Sequence, residues 1–189
     1  MRLFVAVYPP QQATDHLAAH LAGLNIGQAA GRGINARLAT RAHWHVTLAF
    51  LGEVADDRVP RAAAVLDALT ADAPPVLRIA GAGRFGRGRF TIVWAGLRGD
   101  VATLTGLARQ VRRELRRARL PYDEKPLRPH LTLARPGDRL PAEQITADLA
   151  ALQAYEGPEW TVTAVHLVRS HLGPHPRYDM LHIVPLVVS

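Results

Sequence analysis

The sequence predicts an α+β fold, and three observations predict it. Strand-like runs of alternating or β-branched apolar residues interleave with runs in which apolar residues recur every three or four positions. In two places one strand pattern follows another directly, which favours antiparallel pairing over a doubly wound parallel sheet. A short motif also occurs twice, as His45-Val46-Thr47-Leu48-Ala49 and as His130-Leu131-Thr132-Leu133-Ala134, starting 85 residues apart. Each copy sits in a strand pattern with a helix behind it, so the chain reads as one unit, residues 1–189, made of two related lobes. The spacing is too long and the copies too few for a solenoid.

In chain order, residues 3–8 alternate as a strand, and Pro9-Pro10 ends it before a helix over 11–24. A Gly- and Ala-rich loop follows. Trp44 to Leu51 is a β-branched and aromatic strand closed by Gly52, and 57–71 is helical up to Pro74-Pro75. Strands at 76–82 and 89–97 flank the stretch Gly83-Arg84-Phe85-Gly86-Arg87-Gly88 as a hairpin with a long loop. Val101, Leu104, Ala108, Val111 and Leu115 line one face of an amphipathic helix, with Arg109, Arg112, Arg113, Arg116 and Arg117 on the others. After Pro129 come a short strand, 130–135, a helix near 141–152, and two last strands near 159–170 and 177–188.

Composition narrows the function classes. The 189 residues are 48% hydrophobic and 21% charged, enough apolar material for a sizeable core. No apolar run approaches the roughly 18 residues of a membrane span. The opening Met1-Arg2-Leu3-Phe4-Val5-Ala6-Val7 reads as a first strand, being too short and lacking the cleavage site of a signal peptide. With no cysteine there is no thiolate nucleophile, disulfide framework or Cys-based zinc site, which fits a cytoplasmic setting. The net charge of +7 favours a polyanionic partner. Lys125 is the only lysine among the 23 basic residues, so coding bias towards arginine is an alternative to a polyanionic partner as the origin of the basic composition.

On a strand, residues two apart share a face, so His45 points with Thr47 and His130 with Thr132. If the two strands line opposite walls of a cleft, two imidazoles and two hydroxyls converge on one ligand. That arrangement suits displacement at a phosphodiester, where one group takes the proton of the attacking oxygen and another protonates the leaving oxygen. Histidine does both, because its ordinary pKa of about 6.5 allows one ring to be neutral while its partner is protonated. The threonine hydroxyls can hold non-bridging oxygens, and Arg135 can neutralise charge developing there. A single His-x-Thr carries little information, since a local hydrogen bond in a strand explains it; the duplication is what points to chemistry.

At these residues the sequence resembles the two-histidine phosphoesterase superfamily, within it the RNA 2′,3′-cyclic phosphodiesterases, also called 2′-5′ RNA ligases. The resemblance takes in Arg2 to Val7, the extended motif His45 to Glu53, the segment Phe85 to Leu97, Arg128-Pro129-His130-Leu131-Thr132-Leu133-Ala134-Arg135, and the tail Leu167-Val168-Arg169-Ser170 to Pro185-Leu186. It implies a bilobal α+β fold around a central cleft, hydrolysis of a 2′,3′-cyclic phosphate to a 2′-phosphomonoester, and no cofactor or metal. By position it makes His45 and His130 the catalytic pair, Thr47 and Thr132 phosphate-binding, Arg135 phosphate-contacting and Phe50 base-stacking. The first histidine becomes the acid that expels O3′, the second the base that activates water. Ligation is the reverse reaction, a 5′-hydroxyl replacing water. The expected partner is RNA or an oligonucleotide ending in a cyclic phosphate, bound by a monomer.

Two other classes compete. A histidine-metal hydrolase would draw on the nine histidines, through His43 beside His45 or His16 and His20 one helical turn apart, but the nearby carboxylates are not arranged to complete such a site and orient its ligands. A non-catalytic RNA-binding module would use Arg84, Arg87, Arg89 and the basic helix, yet it has no need of two titrating groups. The Gly81 to Gly88 stretch lacks the Gly-Lys-Ser/Thr ending of a phosphate-binding loop. The His171 to Arg177 segment, with His175, adds further histidines of no evident role.

Overall fold

The computed structural model describes residues 1–70, 73–173 and 177–186. Eight strands form two four-stranded antiparallel sheets. The first sheet runs in the order β2 (Val46–Glu53), β1 (Arg2–Val7), β7 (Ala164–His171) and β8 (Arg177–Pro185). The second runs β5 (Leu131–Ala134), β4 (Ile92–Gly99), β3 (Val76–Phe85) and β6 (Glu156–Thr161). The two motif-bearing strands, β2 and β5, are therefore each an edge of a sheet.

Five helices cover the sheets, and their assignment crosses the chain. α1 (Gln11–Ala22) and α2 (Asn25–Gly31) follow β1 but lie on the second sheet, against β3, β6 and α5 (Ala142–Ala154). α4 (Val101–Arg117) follows β4 but packs on β2 of the first sheet, beside α3 (Val59–Asp67). The apolar stripe predicted for α4 is the buried one: Leu104, Ala108, Val111 and Leu115 are at most 1% exposed. β1 is covered on both faces, with Leu3, Val5 and Val7 in the main core under the helices and Phe4 and Ala6 in a small cluster on the opposite face.

Three expectations need correction. The strand predicted at 159–170 is two strands in different sheets, β6 pairing with β3 and β7 with β1, and the chain changes sheets at Val162-Thr163. Residues 25–31, read as loop, are helical: the buried Asp148 carboxylate of α5 accepts the Asn25 and Ile26 backbone N–H groups at 2.8 Å each, satisfying donors that α2 leaves free at its start. The hairpin loop is displaced by three residues, since β3 continues through Gly83-Arg84-Phe85 and β4 starts only at Ile92, which puts the connection at 86–91 in place of 83–88. The ends of the predicted 57–71 helix and 177–188 strand, like His175, lie outside the described residues.

Candidate active site

Both copies of the repeated motif carry the same irregularity. β2 pairs with β1 as Ala6 with Thr47 and Val5 with Ala49, leaving Leu48 as an extra residue. β5 pairs with β4 as Trp94 with Thr132 and Val93 with Ala134, leaving Leu133 extra. A bulge of one residue rephases the strand. The residue three after each threonine thereby returns to the threonine's face: Thr47 and Phe50 are partly exposed on β2 while Leu48 and Ala49 are buried, and Thr132 and Arg135 stand in the same relation. Each bulged carbonyl has a partner from outside its sheet. The Arg112 guanidinium donates to Leu48 O at 3.3 Å, and Ala39 N–H donates to Leu133 O at 2.8 Å. The echo also runs further than the five residues that first disclosed it, for Gly52-Glu53 matches Gly137-Asp138, and both glycines have positive φ, 71° and 61°.

The imidazoles are held alike. His45 Nδ1 lies 2.7 Å from His43 O, and His130 Nδ1 lies 2.6 Å from Arg128 O. A carbonyl only accepts, so each Nδ1 carries a hydrogen and each Nε2 is left as the working nitrogen: a lone pair when the ring is neutral, an N–H when it is protonated. His45 stacks on Phe4 at 4.7 Å between centroids and meets Tyr178 edge-on at 5.4 Å. His130 meets Phe85 edge-on at 5.0 Å, with Trp94 at 6.0 Å.

The electrostatics link the two walls. His45 is pushed down to about 4, first by burial among these aromatics and further by the positive charge of His130 and of His43, against the pull of the His43 carbonyl. Burial raises the Tyr178 phenol, and the Arg135 guanidinium from across the same gap opposes that rise together with Arg2. Each motif thus lies within reach of charge carried by the other.

Several groups here were not singled out from the sequence. Phe4 and Tyr8 share the cleft face of β1 with Ala6, a period-two signal present in 3–8. Tyr178 and Trp94 reach the histidines from strands whose partners only the fold reveals. Trp94 lies across Gly83, where a Cβ would come within 2.2 Å of its ring, so that glycine leaves room for the indole. Tyr8 OH, His166 Nδ1 and Trp94 Nε1 are buried without a hydrogen-bond partner. Phe50 carries the Arg2 guanidinium over its ring at 4.7 Å.

Two of the other histidines pack beside His45, His43 against Tyr178 at 4.6 Å and His166 against Tyr8 at 5.0 Å between centroids. His43 serves through its carbonyl while its Nδ1 pairs with Thr40 Oγ1 at 3.0 Å, and His16 and His20 pack around Tyr155. Among the described residues no three His, Asp or Glu side chains converge as metal ligands. Among the described residues no helix is long and apolar enough to cross a membrane.

A family model described as the 2′-5′ RNA ligase superfamily matches residues 8–174. An RNA 2′,3′-cyclic phosphodiesterase of Thermus thermophilus is 33% identical over 189 residues, covering 96% of this chain and 88% of that protein. One of Geobacillus stearothermophilus is 30% identical over 149 residues, covering 76% of this chain and 46% of the relative, so the chain spans about half that protein's length. Among solved structures, a Thermus thermophilus protein superimposes with a TM-score of 0.72 at 28% identity, covering 98% of both chains. Escherichia coli LigT complexed with 3′-AMP does so with a TM-score of 0.71 at 25% identity, covering 98% of this chain and 97% of that one.

Proposed function

This chain belongs to the 2′-5′ RNA ligase superfamily, and we propose that it hydrolyses RNA 2′,3′-cyclic phosphate ends to 2′-phosphomonoesters, with 2′-5′ ligation as the reverse. The observation that carries this reading is the matched pair of Nδ1-to-carbonyl hydrogen bonds, which leaves two Nε2 atoms in facing motifs for proton transfer. His130 Nε2 takes a proton from water as its oxygen attacks phosphorus. The P–O3′ bond breaks, and His45 Nε2–H supplies the proton that O3′ needs. His45 is neutral at pH 7 in the protein by itself, so its proton arrives with the substrate, whose phosphate charge offsets the burial that lowers it.

Thr47 and Thr132 donate to the non-bridging oxygens, and Arg135 adds charge as they become more negative. Phe50 stacks on the terminal base in the place that the Arg2 guanidinium occupies. Loss of Arg135 as alanine should lower kcat/KM by roughly 100-fold, the scale of one charge-stabilising donor, without changing the shape of the pH profile. Lysine should restore only part, because it lacks the planar fork. Full activity in Arg135→Ala would remove the residue from the site.

We place the enzyme in the cytoplasm as a monomeric catalytic unit spanning residues 1–189, in keeping with the absence of cysteine. The deciding experiment incubates a short RNA ending in a 2′,3′-cyclic phosphate with the protein and EDTA, then identifies the product isomer. A 2′-phosphate formed undiminished in EDTA is expected. Activity lost to chelation and restored by zinc would favour a metal hydrolase, and a 3′-phosphate product would mean that O2′ leaves instead of O3′.

A further inference from the structure

Beside Arg135, off the outer edge of β5 and the start of β4, lies an open cavity of about 620 Å³. Four arginines line it, Arg37, Arg89, Arg135 and Arg139, against a single carboxylate, Asp138. Its rim carries Phe90, 69% exposed, with the Arg89 guanidinium over the ring at 4.8 Å. An aromatic this exposed gains nothing by packing and needs another reason to stand there. The loop is built to hold it out. Residues Gly88–Phe90 form a 3-10 turn, and Gly86, at φ 68°, brings its backbone so near Phe90 that a Cβ would lie 2.4 Å from the Phe90 carbonyl oxygen.

On the basis of the proposed phosphodiesterase reading, we propose that this cavity is where the nucleotides preceding the cyclic phosphate bind, with Phe90 and Arg89 as their contacts. Arginines spaced along a groove neutralise successive phosphates, and an exposed aromatic supplies a stacking face that accepts any base. Arg135 belongs both to this cavity and to the site facing Tyr178, so a strand whose terminal phosphate sits between His45 and His130 passes it on entering the cavity. A second concavity, lined by Arg109, Arg112, Arg113 and Arg116 on α4, reaches the first motif only from behind, through Arg112 on the Leu48 carbonyl, and includes none of the proposed phosphate-binding residues.

The test compares a 2′,3′-cyclic mononucleotide with a tetranucleotide ending in the same group. The wild-type protein should show a KM at least tenfold lower for the tetranucleotide. Phe90→Ala should raise that KM by roughly 5- to 150-fold, the range for one stacked base, and leave the mononucleotide unchanged. Arg89→Gln should reduce the salt dependence of log KM for the tetranucleotide by about one phosphate contact. Equal KM values for the two substrates in the wild type, or equal effects of Phe90→Ala on both, would overturn the inference. Anisotropy of a labelled tetranucleotide bearing a 2′-phosphate keeps the two proposals apart. A protein inactive on every cyclic phosphate refutes the enzymatic reading, while binding that Phe90→Ala weakens still supports the cavity as an RNA site and binding that it does not weaken refutes it.

Discussion

Alanine at His45 or at His130 should lower kcat/KM by about 10²- to 10⁴-fold, the usual contribution of a positioned acid or base, with the thermal midpoint checked to show that each variant folds. The wild-type profile should be a bell whose limbs belong to the pair, because the charge of His130 is felt at His45. Sulfur in place of the ribose O3′ separates the roles, since a thiolate leaves without being protonated. It should rescue His45→Ala by about 100-fold or more and do little for His130→Ala. Burial equips a neutral His45 equally well as a base, so rescue of His130→Ala instead would reverse the assignment. A folded variant of either histidine that keeps full activity on the ordinary substrate would remove that histidine from the chemistry.

Acidification should destabilise the protein well above the range in which carboxylates titrate. His45 is held near 4 in the folded state against about 6.5 when unfolded. Between those values the unfolded chain binds the extra proton, so this contribution is full above pH 6.5 and is lost as pH falls towards 4, at up to about 1.4 kcal/mol per pH unit. The total is on the order of 3 kcal/mol. His166, also lowered by burial, acts in the same direction. Urea unfolding at a series of pH values should therefore give a shallower slope for His45→Gln than for wild type between pH 6.5 and 4; equal slopes would show that the imidazole charges freely in the fold. Inorganic phosphate should reduce the slope in the wild type by favouring the protonated ring.

Much of this site was legible because its signal is local. Extended backbone puts histidine and threonine two apart on one face whatever the strand's partners are, here with His45 and His130 directly preceding β2 and β5, and the repetition disclosed the pairing. Phe50 was different. Plain alternation turns it away from Thr47, and only the bulge at Leu48 turns it back, a rephasing that depends on β1 and on Arg112 from another helix. The break between β6 and β7 was hidden for a similar reason, because both halves alternate alike and differ only in the strands they join. Residues 25–31 contain two glycines, poor helix formers; the helix is completed by a carboxylate more than a hundred residues away.

The crossing of helices between sheets governs how the molecule can come together. β1 must pair with β7, Leu3 opposite Arg169, before the first sheet has its centre, and α1 must dock on a sheet whose last strand, β6, is among the last segments of the chain. Closing loops of that length before their contacts form raises the entropic barrier to folding. A chain cut between β2 and β3 would leave the N-terminal fragment with half of the first sheet and with α1 and α2, which cover the second. The strand that follows His45 thus has its complete sheet only when β7 and β8, near the end of the chain, have been made.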